Sequence, residues 1–427
     1  MPRNVFVIGL DDVNRELLQG IPAARECTFH PLVDFDELRG VETFPVVELL
    51  ERAERDLDAF PGTVDAVTTC IDFPATEFVP LLGRRYGCPG PTIEGVLACN
   101  HKYWSRQLQR EAAPEAVPDF AVLDPYTDDP LGELDLDPPM WVKPLNAYRS
   151  HLGFKISQPQ DLYAALPVIR DDLPRLAAPL EAVMKYAELP AEIERLGSNV
   201  CLAEQIIAGR LCTVEGYVRG GQPHLYGIVD SVRAPNLTSF ARYQYPSLLP
   251  PRVQRRILDV AERVMGHMGL DDSPFNMELF YNARRDTLAV LEINPRISQS
   301  HAPLFHLVDG VSHHQVMVDV ALGREPDMPH REGAYDVAAK FFLRAYRDAR
   351  VTAVPSEGEI ARLRERLPGT KVRVLVEEGL QLSDLEDQDA YSYELAEIYL
   401  GARSVRELLV RWRAVREGLS FGLEDPA

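Results

Sequence analysis

The chain has 427 residues, 26% of them charged, with a formal net charge of −20 and a pI near 5.0. This acidic balance argues against nucleic-acid and anionic-membrane partners, although local Lys and Arg residues still permit an ATP site. The length predicts two to four domains. No signal peptide and no apolar run of about 18 residues is evident, so we expect no membrane partner. The six cysteines lack C-x-x-C spacing, which is typical of reduced thiols in a cytoplasmic protein.

The first third of the chain alternates strand-like and helix-like segments. The strands are predicted in NVFVIGL, CTFHPLVDF and VDAVTTCID, and amphipathic helices follow them. One of these helices, FPATEFVPLLGRRYG, is expected to end at Gly87. This alternation predicts a parallel sheet covered by helices. The first turn lacks G-x-G-x-x-G, so a dinucleotide site is not expected.

Two lysines follow in segments that suit a phosphate group. Lys102 lies in ACNHKYWSRQLQRE, which is predicted to be one helix, and Lys143 ends the first strand of PPMWVKPLNAYRSHLGFKI. A polar loop containing Ser150 and Gly153 separates that strand from the next. A lysine at a strand end is a compact charge for phosphate. The alternatives are a solvated helix lysine and an ordinary hairpin with an exposed lysine.

A second pair of strands is predicted in VCLAEQII and LCTVEGYV, which are separated by a turn at Ala208 and Gly209. Glu204 lies on the first strand. Glu215 lies on the second strand, on the same face as Leu211, because side chains alternate between faces.

The segment FNMELFYNARRDTLAVLEINPRIS predicts a β-hairpin with a polar turn at NARRDT. Glu292 and Asn294 share one face of its second strand, and the hairpin can place Glu278 opposite them. Two carboxylates and an amide oxygen suit Mg²⁺, and Arg296 can meet a phosphate that the metal carries. The alternative is a solvated acidic face, but carboxylates among apolar strands are costly without a cation.

The hairpin resembles the signature of the ATP-grasp superfamily, in which a Glu and a Glu-x-Asn hold Mg²⁺ against ATP. The resemblance implies that Glu278, Glu292 and Asn294 bind two Mg²⁺ ions, with Mn²⁺ as a substitute. It implies that Arg296 contacts phosphate or substrate, and that His301 and Arg233 are candidates to touch the substrate. The predicted ATP-binding residues are Lys102, Lys143, Ser150, Gly153, Glu204, Gln205, Ile207 and Glu215.

One position departs from the family pattern. A Glu that binds the ribose is usual two residues after the hinge glycine, and here that residue is Leu211. Glu215 can replace it or can point toward the substrate, and the sequence leaves both open. His313 and His314 lie in a predicted helix and are interpreted as surface or packing residues.

The resemblance also implies a mixed α/β and α+β fold with a biotin carboxylase-like architecture. The expected parts are an N-terminal parallel-sheet domain (1–105), a lid lobe (106–215), a metal-binding lobe (216–328) and a small C-terminal α+β lobe (329–427). The predicted C-terminal elements are strands in VAAKFFLRAY and KVRVLVEEG and a terminal amphipathic helix.

The implied activity is an ATP-dependent carboxylate–amine ligase, which forms an amide through an acyl phosphate and releases ADP. Its partners would be a small carboxylic acid and an amine, such as amino acids, and a homodimer is the family habit. A biotin-carboxylase-like enzyme acting through carboxyphosphate is the second hypothesis, although the glycine-rich lid of that enzyme is missing. The third is a nucleotide-binding protein without activity, which Leu211 supports.

Overall fold

The computed structural model describes residues 2–38, 44–146, 152–234, 236, 239–385 and 392–424. Ser150 and most of the predicted lid loop therefore lie outside the described residues. Within these ranges, the helices are all too short or too polar to cross a lipid bilayer.

The N-terminal region forms the predicted parallel sheet, with strand order β2-β1-β3. Asp11 starts the first helix because its side chain accepts a hydrogen bond from the backbone N–H of Asn14. Gly87 ends the third helix in the left-handed conformation at φ +69°, as predicted. The elements are β1 (Arg3–Ile8), α1 (Asp12–Gln19), β2 (Cys27–Leu32), α2 (Val46–Asp58), β3 (Ala66–Thr69) and α3 (Ala75–Tyr86).

The segment around Lys102 is two helices, so the prediction of one helix is wrong. The break is at His101, which ends the first helix and whose side chain accepts from the Trp104 backbone N–H at the start of the second. Lys102 is consequently the first residue of a helix, and its backbone N–H donates to the carbonyl of Leu145 at 3.0 Å. The two helices are α4 (Ile93–Asn100) and α5 (Lys102–Ala112).

The region predicted to be the lid lobe contains a four-stranded antiparallel sheet with order β4-β7-β5-β6 (the lid sheet) and a long helix packed against it. That helix has three internal prolines and was not predicted, because prolines usually end a helix. The elements are β4 (Phe120–Leu123), β5 (Met140–Pro144), β6 (Phe154–Ile156), α6 (Pro159–Met184), α7 (Ala191–Leu196) and β7 (Cys201–Gln205).

The rest of the chain is organised around an eight-stranded sheet with order β12-β11-β8-β9-β10-β13-β16-β15. Of its first five strands, β9 to β12 lie within the predicted metal-binding lobe, whereas β8 begins at Arg210 and crosses the predicted boundary after residue 215. The elements before residue 330 are β8 (Arg210–Arg219), β9 (Gln222–Arg233), β10 (Phe240–Tyr245), α8 (Pro251–Met265), β11 (Ser273–Asn282), β12 (Thr287–Asn294), α9 (Ala302–Asp309) and α10 (His314–Ala321).

The C-terminal region continues the same sheet, because β13 pairs antiparallel with β10. The predicted strands and the terminal helix are present. The elements are β13 (Val337–Ala345), β14 (Arg350–Ala353), α11 (Glu357–Arg366), β15 (Lys371–Val374), β16 (Tyr393–Ala402), α12 (Val405–Gly418) and β17 (Gly422–Glu424).

One large apolar core joins the N-terminal sheet to strands β12, β11 and β8 at one end of the eight-stranded sheet. It includes Val7 of β1, Leu97 of α4 and Val290 of β12, all fully or almost fully buried. The hairpin β11–β12 is therefore fixed by packing along its length, which gives its polar side chains defined positions.

Candidate functional site

The predicted hairpin places its acidic side chains opposite each other. Glu278 of β11 pairs in register with Glu292 of β12, and Asn276 pairs with Asn294 two residues further along. Burial, followed by the negative charge of Glu292, raises the pKa of Glu278 to about 8. The protein thus holds two carboxyl groups close together where they repel each other.

These residues fit a magnesium ion by the chemistry of their donors. The amide nitrogen of Asn294 donates to Oδ1 of Asn276 at 3.0 Å, which leaves Oδ1 of Asn294 as the group for a cation. Two carboxylates and one amide oxygen are hard ligands, and a cation would remove the repulsion between Glu278 and Glu292.

Asn276 was not predicted from the sequence as part of the site. Besides orienting Asn294, it donates from its own amide to the carbonyl of Arg296 at 3.1 Å. It is 2% exposed. Its position two residues before Glu278, on the same strand face, was the available signal.

The two predicted ATP-binding lysines lie close enough for the charge of Lys143 to act on Lys102. The carboxylate of Glu204 is paired with Lys143. Lys143 donates from Nζ to Oε1 of Glu204 at 2.5 Å, and the two side chains lie on adjacent strands β5 and β7. Burial lowers the pKa of Lys102 to about 8, with the charges of Glu292 and Lys143 acting in opposite directions. Lys102 therefore lies within the electrostatic reach of both the metal-binding hairpin and Lys143.

Arg106 is a second residue near the site that was not predicted from the sequence. It is 2% exposed and donates from Nε and Nη2 to Oε2 of Glu204, at 3.1 and 3.0 Å. It also donates to the carbonyls of Val290 and Leu291 in β12. Burial opposes ionisation of Glu204, but Arg106 and Lys143 outweigh it and lower the pKa of Glu204 to about 2.

Three other predicted ATP-binding residues lie at the ends of lid-sheet strands or in the connection that follows them. Gln205 ends β7 and is exposed, Ile207 is partly buried in the connection to β8, and Gly153 precedes β6. Leu211 is buried at 4% exposure, as a core residue of β8. The roles predicted for Gln205, Ile207 and Gly153 stay predictions.

Arg296 reaches the N-terminal region. Its Nε and Nη2 both contact Oδ1 of Asp72 at 2.6 Å, and Asp72 lies in the loop after β3. Burial lowers the pKa of Arg296, but Asp72 and the fields of Glu215 and Glu292 outweigh burial and raise it. Asp72 was not predicted as a site residue, because 224 residues separate it from Arg296.

His301 and Glu215 form a buried pair beside this arginine. Nδ1 of His301 lies 2.7 Å from Oε1 of Glu215, and the two side chains are 4% and 0% exposed. Burial is the main cause that raises the pKa of Glu215 and lowers the pKa of His301 to about 3. This position favours the substrate side over the ribose for Glu215, and that assignment remains a prediction.

His313 and His314 are both fully buried, so the packing interpretation is correct and the surface alternative is wrong. Nε2 of His313 lies 2.9 Å from the carbonyl of Ser298, and Nε2 of His314 lies 3.0 Å from Oδ1 of Asn14. His313 thus contacts the loop that carries His301, and His314 contacts α1, so the two histidines connect the loop to that helix.

Strands β10 and β13 add an aromatic and a charged side chain that were not predicted. Lys340 donates to Oγ of Ser300 at 3.0 Å and forms an ion pair with Glu397 at 2.5 Å. The ring of Tyr243 contacts the His301 ring edge-on at 5.2 Å between centroids. Arg233 is exposed at the end of β9, and its guanidinium lies 5.2 Å from the centre of the Phe240 ring.

Comparison with known proteins identifies the central part of this architecture. Residues 136–303 match the family model of the ATP-grasp domain. The chain therefore contains an ATP-grasp domain, and the resemblance drawn from the hairpin is confirmed. No curated protein sequence matches the chain.

Solved structures with the same fold extend over almost the whole chain. An L-amino acid ligase from Bacillus licheniformis superposes with a TM-score of 0.72 at 16% identity, covering 99% of each chain. A phosphoribosylglycinamide synthetase from Anaerococcus prevotii gives 0.65 at 10% identity, covering 99% of this chain and 100% of the other. A biotin carboxylase from Campylobacter jejuni gives 0.64 at 12% identity, covering 98% and 92%. The predicted fold class is confirmed.

Proposed function

We propose that the protein is an ATP-dependent carboxylate–amine ligase that forms an amide through an acyl phosphate and releases ADP and phosphate. The observation that supports it best is the oxygen-ligand set of Glu278, Glu292 and Asn294, with Arg296 two residues beyond Asn294. The fold of the L-amino acid ligase from Bacillus licheniformis over the whole chain agrees with this proposal.

The reaction needs activation of an acid. A carboxylate is a poor electrophile because oxide is a poor leaving group, whereas an acyl phosphate has a good one. Phosphoryl transfer depends on positioning and charge neutralisation more than on a covalent residue. Magnesium ions, when bound by the three hairpin side chains, supply part of this neutralisation.

Each remaining role goes to a side chain near the hairpin. Lys143 of β5 and Lys102 at the start of α5 would hold phosphate oxygens. Glu204, which is itself held by Arg106, would fix the direction of Lys143. Arg296, which directly follows the hairpin in the chain, would stabilise negative charge on the transferred group and on the acyl phosphate. Water must be excluded from this intermediate, which is the expected role of the lid lobe.

The competing hypotheses use the same nucleotide chemistry. A carboxylase would activate bicarbonate, and the fold of a biotin carboxylase is shared at a TM-score of 0.64. A pure nucleotide binder would retain ATP without turnover. The amino acid ligase superposes somewhat better, at 0.72, and the three hairpin ligands are unnecessary for binding alone.

An oxygen-transfer experiment tests the proposal. The protein is incubated with ATP, Mg²⁺, pairs of amino acids and a carboxyl group labelled with ¹⁸O, and ADP and phosphate are measured. We expect ADP release that requires two added substrates, and phosphate that carries one labelled oxygen from the acid. Dependence on bicarbonate alone would support the carboxylase, and binding without turnover would support the nucleotide binder.

Glu292→Gln should abolish the labelled phosphate, since an amide replaces one anionic ligand. Glu262→Gln on the exposed face of α8 is the matched control and should behave like the unmodified protein. Turnover by Glu292→Gln with the normal dependence on Mg²⁺ would contradict the assignment of the hairpin as the metal site.

A further inference from the structure

The pair formed by Asp72 and Arg296 is unequally exposed. The side chain of Arg296 is 15% exposed, whereas that of Asp72 is 49% exposed. Both contacts from Arg296 go to Oδ1 of Asp72. Oδ2 accepts no hydrogen bond from the part of the chain that the structure describes, so a ligand can reach this second oxygen.

The neighbouring carboxylates have other partners. Glu215 is paired with His301, and Glu204 is paired with Lys143 and Arg106. Glu278 and Glu292 face each other at the predicted metal site. A cationic group on a substrate that approaches Arg296 would therefore meet Asp72 first.

An arginine and an aspartate in contact suit a zwitterion. In an α-amino acid, the ammonium and the carboxylate are attached to the same carbon, so both charges can be satisfied by adjacent side chains of opposite sign. Arg296 alone would accept any carboxylic acid. Asp72 beside it would favour an acid that carries an ammonium and would disfavour a second negative charge.

From this geometry, and resting on the proposed ligase activity, we propose that the acid substrate is an α-amino acid. Arg296 holds its carboxylate, and Oδ2 of Asp72 receives its α-ammonium. Asp72 is then a residue of the N-terminal region that determines specificity at a site built mainly by the eight-stranded sheet.

The test compares two substrates, each assayed with the unmodified protein and with one variant. The common L-amino acids are screened with ATP and Mg²⁺, and the best acid substrate is compared with the same molecule lacking the α-amino group. Loss of a charge-assisted hydrogen bond typically changes affinity by about 10- to 100-fold. We expect Asp72→Asn to reduce the ratio of kcat/KM for the amino acid over the des-amino acid by that factor.

Asp58→Asn is the matched control, because Asp58 is also paired with an arginine, Arg85, in the N-terminal region. It should leave the ratio as in the unmodified protein. If Asp72→Asn lowers both kcat/KM values and keeps their ratio, Asp72 only orients Arg296 and the inference is wrong.

The two proposals fail in different ways. If the unmodified protein releases ADP with des-amino acids but not with α-amino acids, the ligase proposal stands and this inference is wrong. If no acid supports ADP release, calorimetric titration of L-amino acids in the presence of Mg²⁺ and a non-hydrolysable ATP analogue decides the matter. Weaker binding of the amino acid by Asp72→Asn than by the unmodified protein supports the inference. Equal binding by the two proteins, or no binding by either, overturns it.

Discussion

At the residue scale, the site is a set of buried charges whose energies depend on one another. Lys102 is close enough to Glu292 and Lys143 for both to affect its pKa, and Glu204 is held ionised by Arg106 and Lys143. Because burial weakens solvent screening, a change in one charge is felt by the others. In the proposed function, ATP and a cation would bind among charges that are already held in place by one another.

The pKa of Lys102 predicts a pH dependence of ATP binding. Burial lowers that pKa to about 8, so the ATP-free protein carries the charge below pH 8 and loses it above. If Lys102 binds a phosphate oxygen, the Kd for MgATP should rise by about tenfold between pH 7 and 9, the effect of one charged hydrogen bond. Calorimetry at several pH values measures it.

Lys102→Arg should bind MgATP equally well at pH 7 and 9, because a guanidinium stays protonated. Lys185→Arg, an exposed position after α6, is the control and should keep the pH dependence of the unmodified protein. An unmodified protein whose affinity stays constant from pH 7 to 9 would exclude Lys102 as the phosphate ligand.

At the scale of elements, the hairpin β11–β12 contains a buried carboxyl group, Glu278, whose ionisation destabilises the folded protein. The folded pKa of Glu278 is about 8 and its ordinary value is 4.5, so the folded state binds the proton more tightly than the unfolded chain. Stability should therefore fall as pH rises from about 4.5 to 8 in the absence of a metal ion.

Glu278→Gln should remove this penalty. At pH 8 with a chelator, we expect its free energy of unfolding to exceed that of the unmodified protein by roughly 1–3 kcal/mol, while ADP release is lost. Thermal unfolding at pH 6 and pH 8 measures the effect, which should be smaller at pH 6. A variant less stable than the unmodified protein at pH 8 would refute the argument.

Helix α5 connects the lid sheet to the hairpin through Arg106. The guanidinium holds Glu204 of β7 and two carbonyls of β12, and lysine cannot reproduce this planar set of donors. Arg106→Lys should lower the free energy of unfolding by about 2–4 kcal/mol, because buried polar groups lose their partners.

Urea unfolding measures the change, and Arg263→Lys on α8 is the matched control. Arg263 is paired with Glu115 at the surface, so its replacement should cost less than about 1 kcal/mol. Equal effects of the two substitutions would show that Arg106 does not connect these elements.

At the scale of the whole molecule, the eight-stranded sheet joins the predicted metal-binding lobe to the predicted C-terminal lobe. Strand β10 of the metal-binding lobe pairs with β13, and a cluster including Tyr245, Phe305 and Ala338 is buried across the junction. The predicted boundary between residues 328 and 329 falls before β13, so the C-terminal region begins with a strand of the shared sheet.

A chain that ends at residue 336 should therefore not fold stably. Its β10 would become an open edge next to an exposed apolar cluster, which favours aggregation. Size-exclusion chromatography and circular dichroism would test this against the full chain. A monodisperse fragment with a cooperative unfolding transition would show that the C-terminal region is an independent unit.

The sequence determined the local elements and the arrangement of the candidate metal ligands. Strand alternation placed Glu292 and Asn294 on one face, the polar turn set the hairpin that brings Glu278 opposite them, and the glycine after α3 marked its end. These predictions depend on residues close together in the chain, whose geometry follows from the backbone alone.

The tertiary structure alone decided the partners of these residues. Arg106 and Glu204 are 98 residues apart, and Asp72 and Arg296 are 224 residues apart. Neither pair has a spacing or periodicity that reveals it, because such contacts arise when separate elements pack around a common core. For the same reason, the sequence could locate His301 and Glu215 individually but could not predict that they form a buried pair.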